Sequence, residues 1–261
     1  MTTTVDPTSD PAVRQALDSL LLSMADDEFV IGFSDSEWTG IAPMLEEDVA
    51  MSSIAQDELG HARALYELLA AVRDDAKDAD AIAFDREPDE YRHCRLVDHG
   101  RGNWAQTVVR RFLYDTADAV RLDAVVASSF APLAELAAKI QREERYHVMH
   151  ARTWFDRLAA RAGEPRQRLD AALDVLGQDA GTVFTELPGE PALVAAGILG
   201  ATMAELERRW QAQLAPILQG HGLRLPARDP DAAGRSAHGD DFLWLWGEFT
   251  SVRRLDPVAT W

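Results

Sequence analysis

Two Glu-x-x-His pairs are the residues of this chain whose types and spacing best suit metal chemistry. Glu58 and His61 form the first pair, and Glu144 and His147 form the second. Because one helical turn takes about 3.6 residues, a glutamate and a histidine three positions apart lie on the same face of a helix. Carboxylate oxygen and imidazole nitrogen are donors that iron and manganese accept. Each pair therefore predicts a helix that directs two ligands toward a metal.

A lone carboxylate precedes each pair by about the length of one helical hairpin. Glu28 precedes Glu58 by 30 positions, and Asp115 precedes Glu144 by 29. Residues this far apart lie at similar heights in a hairpin whose turn falls midway between them. Asp118 follows Asp115 by one helical turn, and it is an alternative as the second lone carboxylate or a hydrogen-bond partner for a ligating histidine.

Six side chains from four helices therefore form a candidate centre for two metal ions. Their four carboxylates balance the charge of two divalent cations, and two neutral imidazoles complete the set. Four carboxylates that converge inside a bundle are costly without cations, so metal is the simplest compensation. The candidate ligands are Glu28, Glu58, His61, Asp115, Glu144 and His147.

The elements that must position these ligands are helices, because helical periodicity dominates the chain and strand-like alternation is almost absent. This pattern predicts an all-α protein, a ferritin-like four-helix bundle with additional C-terminal helices. We expect one domain over 1–261, with the bundle at about 12–162 and a helical extension at about 164–261. The predicted helices lie at 12–32, 44–73, 90–97, 104–128, 131–161, 166–176, 192–218 and 240–254, with a long connection at 74–102 and a loop at 220–239.

Composition narrows the classes of function. The 261 residues carry a formal net charge of −18, which argues against a nucleic-acid partner and against an anionic membrane surface. Cys94 is the single cysteine, so neither an intrachain disulfide nor a four-thiolate cluster can form. The longest apolar stretch, near 192–201, is too short to span a bilayer. The start shows no secretory signal, and we expect a cytoplasmic protein.

Several polar residues near the candidates receive no ligand role from their spacing. Asp26 and Asp27 are expected to face solvent or to support the ligands from behind. Asp57 and Glu143 each precede a candidate glutamate and point about 100° away from it. His150 is expected on the helix surface or behind a ligand. The remaining histidines without ligand spacing are His93, His99, His221 and His238.

Several stretches of the chain resemble the phenylacetic acid catabolic family, and the resemblance covers nearly the whole chain. That family includes the two ferritin-like subunits of the multicomponent phenylacetyl-CoA epoxidase, one catalytic with a di-iron centre and one structural that has lost ligands. The chain's length, its run 45–48 and its ending 238–261 resemble the structural subunit, whereas the six candidates match the ligand positions of the catalytic one. The stretches that carry the resemblance are 27–30, 36–38, 56–61, 112–115 and 143–147.

The resemblance implies a di-iron carboxylate oxygenase component that activates O2 and oxygenates an aromatic acyl-CoA-type substrate. The cofactors would be two iron ions, or manganese or a mixed pair, with O2 as co-substrate and with Glu58 and Glu144 as the catalytic, bridging carboxylates. The chain has no dinucleotide-binding glycine motif and no cysteine cluster, so a separate reductase is expected to donate electrons. A homo-oligomer, or a hetero-oligomer with ferritin-like subunits, is expected as well. Two other functions stay open: a non-catalytic structural subunit, and a ferritin-like ferroxidase or metal-binding protein.

Overall fold

Helices make up the regular structure of the protein, which a computed structural model describes for residues 7–73, 75, 77–229 and 234–256. Within these ranges the chain forms helices and turns and no strand, so the predicted all-α class is confirmed. Short 3-10 turns occur at Pro7–Ser9, Pro88–Glu90 and Ala180–Phe184. The α-helices of the described residues are α1 (Pro11–Ser36), α2 (Leu45–Arg73), α3 (Ala79–Phe84), α4 (Arg95–Asp98), α5 (Trp104–Val125), α6 (Ala131–Ala159), α7 (Glu164–Asp179), α8 (Glu190–Ala195), α9 (Met203–Gly220) and α10 (Asp240–Leu255).

The four long helices pair as two hairpins. α1 packs along α2, α5 packs along α6, and α2 contacts α6 across the hairpins. The later helices cover this bundle: α7 and α9 pack on α5, while α8 and α10 contact α1. The ferritin-like four-helix bundle with additional C-terminal helices is therefore confirmed. No helix of the described residues is both long and apolar enough to cross a membrane. The single-domain organisation stays a prediction.

Local signals fix the starts of the two helices that carry the lone carboxylates. Asp10 caps α1, because its side chain accepts a hydrogen bond from the backbone N–H of Ala12 at 2.8 Å, and Pro11 occupies the first helical position. Asn103 caps α5, and its own backbone N–H donates to the Gln106 side-chain oxygen in a capping box. These caps set where each helix begins and therefore which of its faces turns inward.

α1 and α5 are the inner helices of the bundle, and most of their residues are buried, including charged ones. Asp26 and Asp27 are both fully buried, so of the two positions expected for them the one facing solvent is wrong. The Arg86 guanidinium donates to Asp26, while Arg121 and Arg235 donate to Asp27. Because a buried charge needs a partner, these arginines tie the long connection, α5 and the C-terminal region to α1.

The predicted helix over 192–218 is in fact two helices. α8 ends at Ala195 and α9 begins at Met203, with Gly197 between them at a φ of 70°. The Gly200 N–H donates to the Ala124 carbonyl at 2.8 Å, and a Cβ on Gly200 would lie 2.9 Å from that oxygen. The break is therefore a tertiary contact with the end of α5, which periodicity along the sequence does not show.

Other boundaries differ by a few residues. The predicted helix over 90–97 is the four-residue α4 preceded by a 3-10 turn, and α3 was not predicted. α1 continues to Ser36 instead of ending at 32, and α5 ends at Val125 instead of 128. Residues 221–229 and 234–239 form the predicted loop, while 230–233 lie outside the described residues.

Candidate metal centre

The six predicted ligands converge inside the bundle from four helices. α1 carries Glu28 and α5 carries Asp115, while α2 and α6 each carry one Glu-x-x-His pair. All six side chains are buried, with residue exposures between 0% and 3%. The convergence matches the expected hairpin geometry, whereas the role of each residue as a ligand stays a proposal.

Four of the six form a compact group. Glu28, Glu58, His61 and Glu144 each offer a ligand atom within 4.8 Å of the others. The Nδ1 atom of His61 lies 3.3 Å from Glu28 Oε2 and 3.4 Å from Glu144 Oε1. The Tyr114 hydroxyl donates to Glu28 Oε1 at 3.0 Å and so orients that carboxylate. These side chains come from three helices, and together they enclose a space suited to one cation.

Gly32 lets the first two helices approach closely at this point. It lies one turn after Glu28 on α1, and a Cβ at this position would meet the Glu58 Cβ at 3.0 Å and the Ala55 carbonyl oxygen at 3.3 Å. A side chain here would push α2 away from α1. The short approach is part of what brings the Glu28 and Glu58 carboxylates together.

His147 supplies the second imidazole. Its Nδ1 atom lies 2.9 Å from Glu144 Oε1 and 3.3 Å from Glu58 Oε1, and its ring centroid is 6.2 Å from that of His61. The glutamates of the two pairs therefore lie between the two imidazoles. This is the arrangement expected if Glu58 and Glu144 are shared by both halves of the centre.

Asp57 and Glu143 hold the outer nitrogen of each imidazole. His61 Nε2 lies 2.7 Å from Glu143 Oε2, and His147 Nε2 lies 3.3 Å from Asp57 Oδ2. The 100° rotation that turns each carboxylate away from its neighbouring ligand carries it to the histidine of the facing helix. An Nε2–H donated to these carboxylates leaves Nδ1 free to bind a metal. These contacts were not predicted, although an acidic residue directly precedes each Glu-x-x-His pair in the sequence.

Asp115 is paired with an arginine instead of a histidine. Arg111 lies one turn earlier on α5, and its Nη2 atom is 2.9 Å from Asp115 Oδ1. Its Nη1 atom donates to Glu58 Oε1 at 2.5 Å and lies 3.5 Å from Asp35 Oδ2. Arg111 is only 2% exposed, so its charge acts in a medium that screens it weakly. Arg111 was not predicted from the sequence as part of the centre, although a position four before Asp115 lies on the same helical face.

Asp118, the alternative to Asp115, is also fully buried. The Arg121 side chain donates to Asp118 Oδ1 through Nε at 3.0 Å and through Nη2 at 2.5 Å. The Arg121 Nη2 atom is also 3.2 Å from the Tyr114 hydroxyl, which in turn donates to Glu28. Asp118 therefore acts on the centre through Arg121 and Tyr114, and the choice between Asp115 and Asp118 as a ligand stays open.

The side chains of the centre leave it short of positive charge, and the pKa values of its residues shift accordingly. Burial and the neighbouring Glu58 charge raise the pKa of Glu28 well above its usual range. Burial opposes protonation of both histidines, yet contacts with buried glutamates outweigh it and raise the pKa of His61 to about 12 and that of His147 to about 11. Burial also disfavours the charged form of Glu58, but the Arg111 guanidinium together with contacts to Glu28 and His147 outweighs it and lowers the pKa of that carboxyl. Protons are thus held where a metal cation would otherwise bind.

Unpartnered oxygens show that these residues fit a metal ion. Glu58 Oε2 and Glu144 Oε2 are buried without a hydrogen-bond partner among the described residues. Such atoms are costly to bury unless something satisfies them. Carboxylate oxygens together with imidazole Nδ1 atoms form a donor set that suits iron or manganese. A cation bound among the glutamates would satisfy these oxygens and replace the histidine protons.

A second cluster of possible ligands does not have the geometry of a metal site. His93 Nε2 lies 2.8 Å from Asp98 Oδ1, and His238 Nδ1 lies 3.3 Å from the same oxygen. The two imidazoles stack with centroids 4.1 Å apart and planes 19° from parallel. An imidazole binds metal in its ring plane, so two nearly parallel stacked rings cannot both direct a nitrogen at one ion. The cluster instead holds the segment before α10 against α4.

The other histidines pair with carboxylates away from the centre. His150 does not lie free on the surface, because only 13% of its side chain is exposed and its Nε2 atom lies 2.7 Å from Glu47 Oε2 on α2. None of these contacts involves a candidate ligand. The pairs are His99 with Asp179, His150 with Glu47 and His221 with Asp156.

Two helical hairpins that direct carboxylates and Glu-x-x-His pairs into one buried centre define a ferritin-like helical protein with a group of residues that could hold a metal ion. The chain belongs to the phenylacetic acid catabolic protein family, whose model matches residues 1–261.

Two relatives from Escherichia coli (strain K12) show the same likeness, and they are different subunits of 1,2-phenylacetyl-CoA epoxidase. The chain is 26% identical to the first relative over 247 residues, which cover 94% of this chain and 99% of that protein. It is 25% identical to the second relative over 248 residues, which cover 92% of this chain and 78% of that protein. The chain is thus similar to both epoxidase subunits, and in length it corresponds to the first.

Proposed function

We propose that this chain is the metal-binding, ferritin-like subunit of a multicomponent oxygenase of the phenylacetyl-CoA epoxidase type. The proposal is supported by the family, by the two epoxidase subunits it resembles and above all by one observation at the centre. The Oε2 atoms of Glu58 and Glu144 are buried without a hydrogen-bond partner in the described part of the chain, while the Nδ1 atoms of two histidines lie near the Oε1 atoms of the same carboxylates. Such a centre is costly when empty and is satisfied by a metal ion.

Iron bound in this centre would supply the redox chemistry that reduces O2 and transfers one oxygen atom to an aromatic acyl-CoA-type substrate, with electrons from a separate reductase. The chain's own residues prepare the site. Glu143 and Asp57 fix the histidine tautomers, and Tyr114 orients Glu28. The buried setting excludes bulk water, which protects reactive species from side reactions.

Two other functions make different demands on the same centre. The nearly complete coverage of the first relative and the Arg111–Asp115 pair favour a structural role in which a bound metal only stabilises the fold. A ferroxidase would consume O2 with iron alone. The three functions can therefore be separated by metal content and by the conditions under which O2 is consumed.

The first test is the metal content of the full chain after anaerobic loading with iron(II). We expect stoichiometric iron in the native protein and less than about one tenth of that after the double substitution Glu58→Ala and Glu144→Ala, because these residues contribute to both halves of the centre. Exposed glutamates of the same two helices, Glu67 and Glu135, provide a matched control double variant that should keep its iron. Equal iron in both variants would contradict the site assignment.

The second test measures O2 uptake by chemically reduced, iron-loaded protein with its ferritin-like and reductase partners. Uptake that depends on phenylacetyl-CoA supports the oxygenase. Uptake with iron but no organic substrate indicates a ferroxidase, and no uptake by a protein that holds iron indicates a structural role.

A further inference from the structure

Arg111 brings a positive charge into the centre, where a site with two metal ions would not need one. A centre with two ions would use Asp115 and His147, together with Glu144, for the second ion. Instead, the compact group of four contains neither Asp115 nor His147. The Asp115 carboxylate faces a guanidinium at 2.9 Å, and the same guanidinium donates to Glu58.

The guanidinium occupies the position of a cation. Its two terminal nitrogens span Glu58 and Asp115, one on each carboxylate, in the way that a metal bound to both would. A second ion bound to Asp115 would share that carboxylate with the guanidinium, which lies 2.9 Å from its Oδ1 atom. Two cations on one buried carboxylate repel each other, which disfavours a second ion while Arg111 is present.

The surroundings hold Arg111 in place. It is fully buried and is also 3.5 Å from Asp35, whose carboxylate accepts a hydrogen bond from Arg110 at 2.6 Å. An arginine that moved aside would have to carry its charge through the packed interior of α5, where most residues are buried. The cost of leaving a charge unpaired opposes such a movement.

We propose that this centre holds a single metal ion, bound by Glu28, Glu58, His61 and Glu144, and that Arg111 takes the place of a second ion. Four carboxylates and one guanidinium leave three negative charges. One divalent ion leaves a single negative charge, which one proton neutralises. The proposal rests on the metal-binding function above and specifies how much metal that function uses.

The test counts ions per chain by native mass spectrometry after anaerobic loading with iron(II), and repeats the loading with manganese(II) for electron paramagnetic resonance. We expect one ion in the native chain, with the spectrum of an isolated manganese ion. The substitution Arg111→Met removes the guanidinium and should raise the content to two ions with an exchange-coupled spectrum. Arg111→Gln gives a second, polar variant in case the first does not fold.

Arg110→Met is the matched control, because Arg110 is equally buried on the same helix but pairs with Asp35 instead of a candidate ligand. It should leave the count at one. Two coupled ions in the native chain would overturn the proposal, as would one ion in a folded Arg111→Gln chain. The absence of any bound ion from the native chain would instead overturn the proposed function itself, so the two failures are distinguishable.

Discussion

In the α1–α2 hairpin the lone carboxylate of Glu28 contacts His61 of the same hairpin. In the α5–α6 hairpin the lone carboxylate of Asp115 contacts Arg111 instead of a histidine. Both hairpins otherwise repeat nearly the same spacing, and each buries one lone carboxylate and one Glu-x-x-His pair. The difference shows that a repeated ligand pattern fixes where side chains point but not which charges they meet. A single residue one turn before Asp115 is enough to change the partner of that carboxylate.

The largest effect we predict comes from removing the lone carboxylate of each hairpin in turn. Asp115→Ala should lower the free energy of unfolding of the metal-free protein by about 3 kcal/mol, because it removes a buried partner of Arg111 while Glu58 remains. Glu28→Ala should instead weaken manganese(II) binding by about 100-fold. Chemical denaturation measures the first effect, and metal titration measures the second.

A double-mutant cycle with Arg111→Met provides the control for Asp115→Ala. If Arg111 is the residue left unpaired, adding Arg111→Met should restore part of the lost stability. Additive losses would show that the two side chains do not interact. A loss of metal affinity in Asp115→Ala as large as that in Glu28→Ala would remove the proposed difference between the hairpins.

Metal-induced stabilisation should also depend on pH. The raised pKa values of His61 and His147 mean that the metal-free folded chain binds more protons than the unfolded chain above about pH 6.5. This stability is fully present below that pH and is lost as pH rises toward the raised pKa values. The pKa of Glu28 is also raised, so deprotonation of this carboxyl adds to the loss of stability over a lower pH range. A metal that replaces one histidine proton should therefore stabilise the fold by about 1.4 kcal/mol more for each pH unit above neutrality.

Thermal unfolding with and without manganese(II) across this range measures that dependence. His150→Gln is the control, because His150 pairs with Glu47 away from the centre and should leave the slope unchanged. If His61 is the histidine that binds manganese(II), His61→Gln should abolish the pH dependence of the metal-induced stabilisation. His147→Gln should reduce it less. A metal-induced shift that stays constant with pH would contradict displacement of a histidine proton.

The positions of the candidate ligands were predicted better from the sequence than the partners of those side chains. Helical spacing was sufficient to place Glu28 opposite Glu58 and Asp115 on the inner face of α5, because it depends on local geometry alone. The buried arginines that hold Asp27, Asp118 and Asp115 come from other turns or other segments of the chain. Which charge meets which carboxylate is settled by tertiary packing, and the sequence pattern carries only a weak signal of it.

Helix boundaries show the same limit at a smaller scale. The break between α8 and α9 depends on a contact between Gly200 and Ala124, which are far apart in the sequence. By contrast, the start of α6 and the end of α2 were predicted correctly from local signals. Long helices with one exposed face were therefore predictable, whereas elements defined by contact with another segment were not.

The smallest effect we predict separates the outer carboxylates of the two hairpins. Glu143→Gln should weaken manganese(II) binding by about tenfold, because Glu143 holds Nε2 of His61 at 2.7 Å and His61 belongs to the compact group of four. Asp57→Asn should weaken it by less than about threefold, because Asp57 holds His147 at 3.3 Å and that imidazole lies outside the group.

Glu46→Gln, on the exposed start of α2, is the control and should change nothing. Competition with a metal chelator measures all three affinities. Equal losses for Glu143→Gln and Asp57→Asn would mean that both histidines hold metal to the same extent, and a single ion bound by His61 but not by His147 would then be wrong.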